Sequence, residues 1–546
     1  MKHTSLVALI LVIALLATAC QPIAGPTPAV QPTATSAPTA TRPPAADAVG
    51  TPPATTEPAE SATQPAATAV AGSGLPGSSL FDAAWDDRTP FAAGLVTGQL
   101  DVLTQRPDAS VYHLDVTLDD DMTTLSGREE VRYTNAEDVP LDEVVFRLFP
   151  NLTGGSIAVS GVTINGQPAE PVYSLDDSVM TVPLAEPLQP GQQVVIAMDF
   201  AVVVPTDPET SNYGTFASFD DVLALAHFYP MIAVYDDEGW NVEIAPPEGD
   251  VVYADSSYYL ARVTAPAEQV LVTSGVALDE SRGDGRQIKT VAAGPARDFY
   301  LAASDAYQVT SQQVGETTIN SFAPRGLREG SAAVAEVAAA AMRSYERLVG
   351  PYPYTEMDLV STATSALGVE YPGIMALTSR IYDRQYEQYL EATVAHEVGH
   401  QWFYNVVGDD QLDEPWLDEA LTQYITLLYF QDQYGQQGYD GFRQSLTGRW
   451  DRVDDEDIPI GLPVAAYSEG GEYPGTYGAI VYGRGPLFFE ALAQQMGPDT
   501  FDAFLRDYYQ TFAWDVATTD GLRALAEKHC GCDLGQLFAE WVYPSQ

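Results

Sequence analysis

Apolar Tyr112, Leu114, Val116 and Leu118 alternate with polar His113, Asp115 and Thr117. A two-residue period puts one set of side chains on one face of a strand. The same period recurs at Val194, Ile196, Met198 and Phe200. Turn signals at Asn165-Gly166, Pro190-Gly191 and Gly283-Asp284-Gly285 separate further short apolar runs up to about Phe322. The pattern predicts an antiparallel β domain over residues 76–323. Beyond Pro324 the period changes, and Val334, Val337, Ala341, Tyr345 and Leu348 fall on one helical face. A short strand-like piece at Met357–Val360 is followed by helical patterns through Tyr429 and, with interruptions, to the C-terminus. A second, mainly helical domain is expected over 324–546, which makes the chain an α+β multidomain protein. No internal repeat of fixed period breaks this division.

The first 75 residues carry a different pattern. Lys2 precedes an apolar run from Leu6 to Leu16, which ends in Ala17-Thr18-Ala19-Cys20. A basic start, an apolar stretch of this length and small residues after it read as a secretory signal over 1–20. The segment resembles a bacterial lipoprotein signal, although Ala17 stands where an aliphatic residue is commoner. That resemblance implies lipidation of Cys20 and a protein held at the outer face of the cell membrane, with a plainly secreted form as the alternative. Residues 21–75 are almost wholly Pro, Thr, Ala, Ser and Gln. Nothing there has apolar periodicity, so the segment reads as a disordered linker or stalk. No second apolar run is long enough to cross a bilayer.

Composition narrows the choice of partners. The 546 residues hold 75 Asp and Glu against 25 Lys and Arg, a formal net charge of -50. Phosphate binding needs a basic footprint, so nucleic acid is excluded as a partner. Such acidity reads first as a solvated, self-repelling surface. The three cysteines, Cys20, Cys530 and Cys532, support neither a disulfide scaffold nor a four-thiolate metal site. With one residue between them, Cys530 and Cys532 are expected to be a pair of thiols in a C-terminal turn.

The chemistry-bearing segment is His396-Glu397-Val398-Gly399-His400, set in a run of good helix formers. Residues four apart share one helix face, with Cβ atoms roughly 5–6 Å apart, so both imidazoles can reach one zinc ion. Glu397 is turned away from that face but close enough to reach a metal-activated water as general base. A catalytic zinc site needs a third protein ligand and an open position. Glu419, in Trp416-Leu417-Asp418-Glu419-Ala420, is the candidate, against the plainer reading of an exposed acid in the first turn of a helix.

With these residues in place the chain resembles the gluzincin metallo-aminopeptidases, the family of aminopeptidase N and leukotriene hydrolase. Gln401, Trp402, Phe403 and Asn405 match the family's extension of the first motif, and Trp416-Leu417-x-Glu419 matches its second. The resemblance implies an N-terminal β domain joined to a thermolysin-like catalytic domain, one zinc ion and peptide substrates. It also implies that Tyr482, in Tyr482-Gly483-Arg484-Gly485, stabilises the oxyanion. It further implies that the strand Leu367-Gly368-Val369-Glu370-Tyr371 lies along the substrate. There Glu370 would hold the free α-amino group, with Gly368 and Val369 beside it. Leu367, Val369 and Tyr371 depart from the family's usual Gly, Met and Asn. Tyr404 and Ala420 replace glycines and could narrow the pocket.

The expected function is therefore cleavage of N-terminal residues from peptides. An endopeptidase or oligopeptidase on the same zinc site is the first alternative, separated by whether N-acetylated peptides are cut. A non-catalytic surface-binding module is the second, and the intact set of His396, Glu397, His400, Glu419 and Tyr482 weighs against it.

Overall fold

A computed structural model describes residues 80–544 except 208–212, 248, 250–251 and 454–456. The expected signal, Cys20 and most of the linker lie outside the described residues. Among those that are described, no helix is long and apolar enough to cross a membrane.

The alternating strands form one large sheet. Its eight strands run in the order 276–283, 286–296, 257–266, 111–118, 124–134, 193–203, 156–164 and 167–168. Tyr112, Leu114, Val116 and Leu118 point into the core as expected, together with Val194, Ile196, Met198 and Phe200. The sheet departs from the expected antiparallel pattern at one place, because Val111–Leu118 pairs in parallel with Ser257–Pro266. That pair joins segments far apart in sequence and leaves no turn signal to read. His113 also departs from the solvent-facing set. Trp85 stacks on its ring at 4.1 Å, and the imidazole is buried with its pKa lowered to about 4, by burial first and then by Arg132. The segment before the first long strand thus covers the sheet's outer face.

A second sheet of five strands runs in the order 307–314, 317–324, 356–362, 374–378 and 368–371. It takes in the hairpin from Tyr307, so the expected division between 323 and 324 cuts through a strand, Thr317–Pro324, that pairs with Glu356–Thr362. The β part and the helical part therefore meet within one sheet, and the described residues from 80 to 544 belong to one compact unit. Gly368–Tyr371 is the edge strand of this sheet, antiparallel to Ile374–Thr378 with Glu370 opposite Met375. Pro372 and Gly373 turn the chain between them; Gly373 has φ +73°, where glycine carries no Cβ penalty.

Helices pack on the five-stranded sheet. Arg328–Leu348 buries Val334, Ala341 and Tyr345, and Tyr345 donates from its hydroxyl to Ala395 O at 2.8 Å in the helix Glu387–Gly399. Glu419–Trp450 follows, broken at Gly435 by φ +62° and ψ −151°. At the C-terminus the expectation of two free thiols is corrected: Cys530 and Cys532 form a disulfide. Gly531 caps the preceding helix in the left-handed region at φ +59°, and this reversal brings the two cysteine Cα atoms to 5.1 Å.

Candidate active site

Two helix ends and one strand edge build the site. His396 lies in the last turn of Glu387–Gly399 and His400 caps it, while Glu419 opens the next long helix. Asp418 caps that helix by accepting from Glu419 N at 2.5 Å, which fixes where the Glu419 side chain starts. The donor atoms converge: His396 Nε2 is 3.1 Å from Glu419 Oε2, His400 Nε2 is 3.4 Å from it, and the two Nε2 atoms are 3.2 Å apart. Tetrahedral donors about 2.0–2.1 Å from a zinc ion have edges of roughly 3.3–3.4 Å, so the triangle has the size the metal needs. His400 Nδ1 lies 3.1 Å from Phe403 O. An N–H on Nδ1 donates there and leaves the Nε2 lone pair facing the other two donors.

Electrostatics follow from burial. Burial lowers His396 to about 4, more than the Glu419 carboxylate beside it raises it. Burial also opposes charge on His400, but Glu370 and Glu419 outweigh it and hold its pKa above the ordinary value. Burial would raise Glu419, yet the two imidazoles hold it well below the usual carboxylate range.

Glu397, Glu370 and His400 form a second close group, with donor atoms within 4.8 Å of one another. Burial first, and the neighbouring Glu370 next, push the Glu397 carboxyl well up. Gly368 lies against Glu397 so closely that a Cβ there would stand 2.4 Å from Cδ. Alternation along the strand places Gly368 and Glu370 on the site's side. Val369 faces the other way, in an apolar cluster with Tyr300, Tyr371 and Ala376. The structure thus brings Gly368 and Glu370 to the site, but not the Val369 side chain.

Tyr482 donates its hydroxyl to Glu419 Oε1, and its ring lies 5.9 Å from that of His396. It sits in a π-helical turn, Ile480–Arg484, a widened geometry that pushes one residue out of the ordinary helical register. The two residues expected to narrow the pocket do not point that way. Tyr404 joins the core of the β part, and its φ of +120° explains why glycine suits the position. Ala420 is fully buried against Gly485.

Three further residues had no sequence signal. Arg297, from the β part, is fully enclosed and donates to the carbonyls of Tyr404 at 2.6 Å, Asn405 at 3.1 Å, Ala254 at 3.0 Å and Asp515 at 2.6 Å. It ties the loop after His400 to the β part, and Gly408 leaves room for its guanidinium. Thr422 Oγ1 lies 3.5 Å from His400 Nδ1. Gln411 is buried between Glu370 and Asp418. Gln401 was legible only through the resemblance. It accepts from Gly373 N at 2.8 Å and donates to Tyr371 O at 3.0 Å, which pins the edge strand to the helix end carrying His400.

A sequence profile of the peptidase family M1 domain matches residues 334–541. The chain carries a peptidase M1 domain. Mouse aminopeptidase RNPEPL1 is 29% identical over 211 residues, covering 36% of this chain and 29% of that protein. Rice aminopeptidase M1-C is 28% identical over 203 residues, covering 35% and 23%. Xenopus laevis leukotriene A-4 hydrolase is 23% identical over 383 residues, covering 67% and 60%. The chain thus spans under a third of the length of the two curated aminopeptidases. Among solved structures, a mutant of the M1 zinc metallopeptidase from Deinococcus radiodurans superposes with a TM-score of 0.60 at 21% identity, covering 80% of this chain and 95% of that one. A mutant of that enzyme bound to a Tyr-Ser-Ala substrate gives 0.59 at 20% identity, again covering 80% and 95%. These likenesses give the chain a two-part fold, a β part before a mainly helical part.

Proposed function

We propose that this chain is a zinc-dependent aminopeptidase that removes N-terminal residues from peptides. The observation that carries the reading is the triangle of His396, His400 and Glu419 with edges of 3.1–3.4 Å, beside a buried Glu397. The residues fit a single zinc ion, which would supply Lewis-acid polarisation of the scissile carbonyl and a lowered pKa for water. Glu397 takes a proton from the attacking water and passes it to the leaving amine. Tyr482 donates its hydroxyl to the oxygen on which charge develops. Glu370, on the edge strand, pairs with the substrate's α-ammonium and fixes which bond is presented. Relatives named aminopeptidases support this exopeptidase reading. We further propose, from the first twenty residues alone, that the enzyme is exported and tethered through a lipid on Cys20.

Replacement tests the reading. His400→Ala leaves two protein ligands and should lose both zinc and activity, while Glu397→Gln should keep near-stoichiometric zinc and lose turnover. Wild-type enzyme should cleave free-amine peptides and barely touch the same peptides once acetylated. Glu370→Ala should lower kcat/KM on free-amine substrates by about 10- to 200-fold, the worth of one charge-assisted contact. Equal cleavage of free and acetylated peptides by wild type would hand the site to the endopeptidase reading.

A further inference from the structure

We propose that Gln411 is a positioning residue that aims the Glu370 carboxylate and so sets the enzyme's preference for a free N-terminal amine. The inference rests on the aminopeptidase reading above and adds to it a residue that touches neither metal nor reacting bond.

Gln411 lies on the segment between the two metal-binding motifs, 3% exposed. Its Nε2 donates to Asp418 Oδ2 at 2.9 Å and, over a longer 3.4 Å, to Glu370 Oε1. A primary amide has two N–H groups, and here both go to carboxylates. The other end of the amide, Oε1, is buried and accepts no hydrogen bond among the described residues. The carboxylates alone therefore orient the amide, and the amide in turn has one direction in which it can serve both.

Asp418 is a fixed reference. Its other oxygen caps the helix that begins with Glu419, and its carbonyl accepts from Thr422 N at 2.8 Å. Gln411 thereby measures the position of Glu370 from the helix end that carries a metal donor. Glu370 needs such a reference, because its side chain extends from an edge strand whose own pairing fixes only the backbone. Glu370 also lies 3.7 Å from His400 Nδ1, a competing partner that would draw it toward the imidazole. An amide on its Oε1 resists that pull. The cost of a misaimed anchor falls on free-amine substrates alone, since an acetylated terminus has no charge to place.

The test uses full-length zinc-loaded enzyme, with one tripeptide in free and N-acetylated form. Gln411→Leu removes the two donors at similar volume. It should raise KM for the free tripeptide about tenfold with kcat within about twofold, and leave kcat/KM for the acetylated peptide within about twofold. Zinc content should remain stoichiometric. A change of packing alone would move both substrates together. If Gln411→Leu loses its zinc, Gln411→Met, which keeps the unbranched chain, carries the same comparison. Loss of zinc in both variants would assign Gln411 to the metal site and overturn the proposal. Wild type that ignores acetylation would remove the aminopeptidase reading and this inference together. Wild-type discrimination that Glu370→Ala loses and Gln411→Leu retains would overturn the role of Gln411 alone.

Discussion

Gly368 leaves the space that Glu397 occupies: a Cβ built on Gly368 would stand 2.4 Å from Glu397 Cδ and 2.5 Å from Oε1. The edge strand and the helix Glu387–Gly399 therefore approach as closely as an absent side chain permits. Gly368→Ala should displace the Glu397 carboxylate while leaving His396, His400 and Glu419 in place. A displacement near 1 Å at a reacting group costs on the order of 10²-fold in rate. The expected result is a kcat lowered by about that factor with zinc retained. A variant of unchanged kcat would mean that Glu397 has room to swing without loss.

Tyr482 should separate binding from chemistry. Its hydroxyl reaches Glu419 Oε1, while its half-buried ring packs against the core. If it acts on the developing oxyanion, Tyr482→Phe should lower kcat by on the order of 10²–10³ with little change in KM. A rise in KM alone would assign the ring a packing role beside Tyr477, whose ring centroid is 5.7 Å away.

What the sequence made legible was what local spacing encodes. His396 and His400 are one helical turn apart, so their convergence follows from the helix. Tyr112 to Leu118 declare a buried face through a two-residue period. Glu419 was within reach because its helix begins just after Trp416-Leu417, a pair that resembles a known family's second motif. The rest depends on contacts that no short window holds. Arg297 meets Tyr404 and Asn405 more than a hundred positions on. Val111–Leu118 has its parallel partner, Ser257–Pro266, more than a hundred positions away. Gln411 is one more polar residue in an acidic stretch until Glu370 is placed against it. The Cys530–Cys532 bridge depends on the backbone of Gly531, a left-handed reversal that a count of intervening residues does not reveal.

Gln401 couples the edge strand to the end of the helix that carries His396 and His400, and its removal should be felt in stability as well as rate. Gln401→Leu leaves Gly373 N–H and Tyr371 C=O without the side-chain partner each now has. Each group left unpaired costs about 1–3 kcal/mol, so a loss of roughly 2–6 kcal/mol is expected. Denaturant unfolding measures this directly. A midpoint unchanged from wild type would show that the turn at Pro372 and Gly373 needs no such tie.

Asp410 gives the pH dependence of stability a sign that can be checked. Its Oδ1 accepts from Leu412 N at 2.9 Å and Asp413 N at 3.0 Å. Burial nevertheless pushes its pKa up to about 7, with further upward pressure from the Asp413 and Glu243 carboxylates. In the unfolded chain an aspartate titrates near 3.9, so between about pH 4 and pH 7 the folded state binds more protons than the unfolded one. Stability from this group must then fall as pH rises through that window, the reverse of a salt-bridged carboxylate. Asp410→Asn keeps an oxygen to accept the two backbone N–H groups and removes the titration. The variant should melt above wild type at about pH 8 and match it near pH 4, where both carry a neutral side chain. Thermal melts of the two proteins across that range decide the matter. A variant less stable than wild type at the alkaline end would show that Asp410 stays ionised and is held by a partner that outweighs its burial.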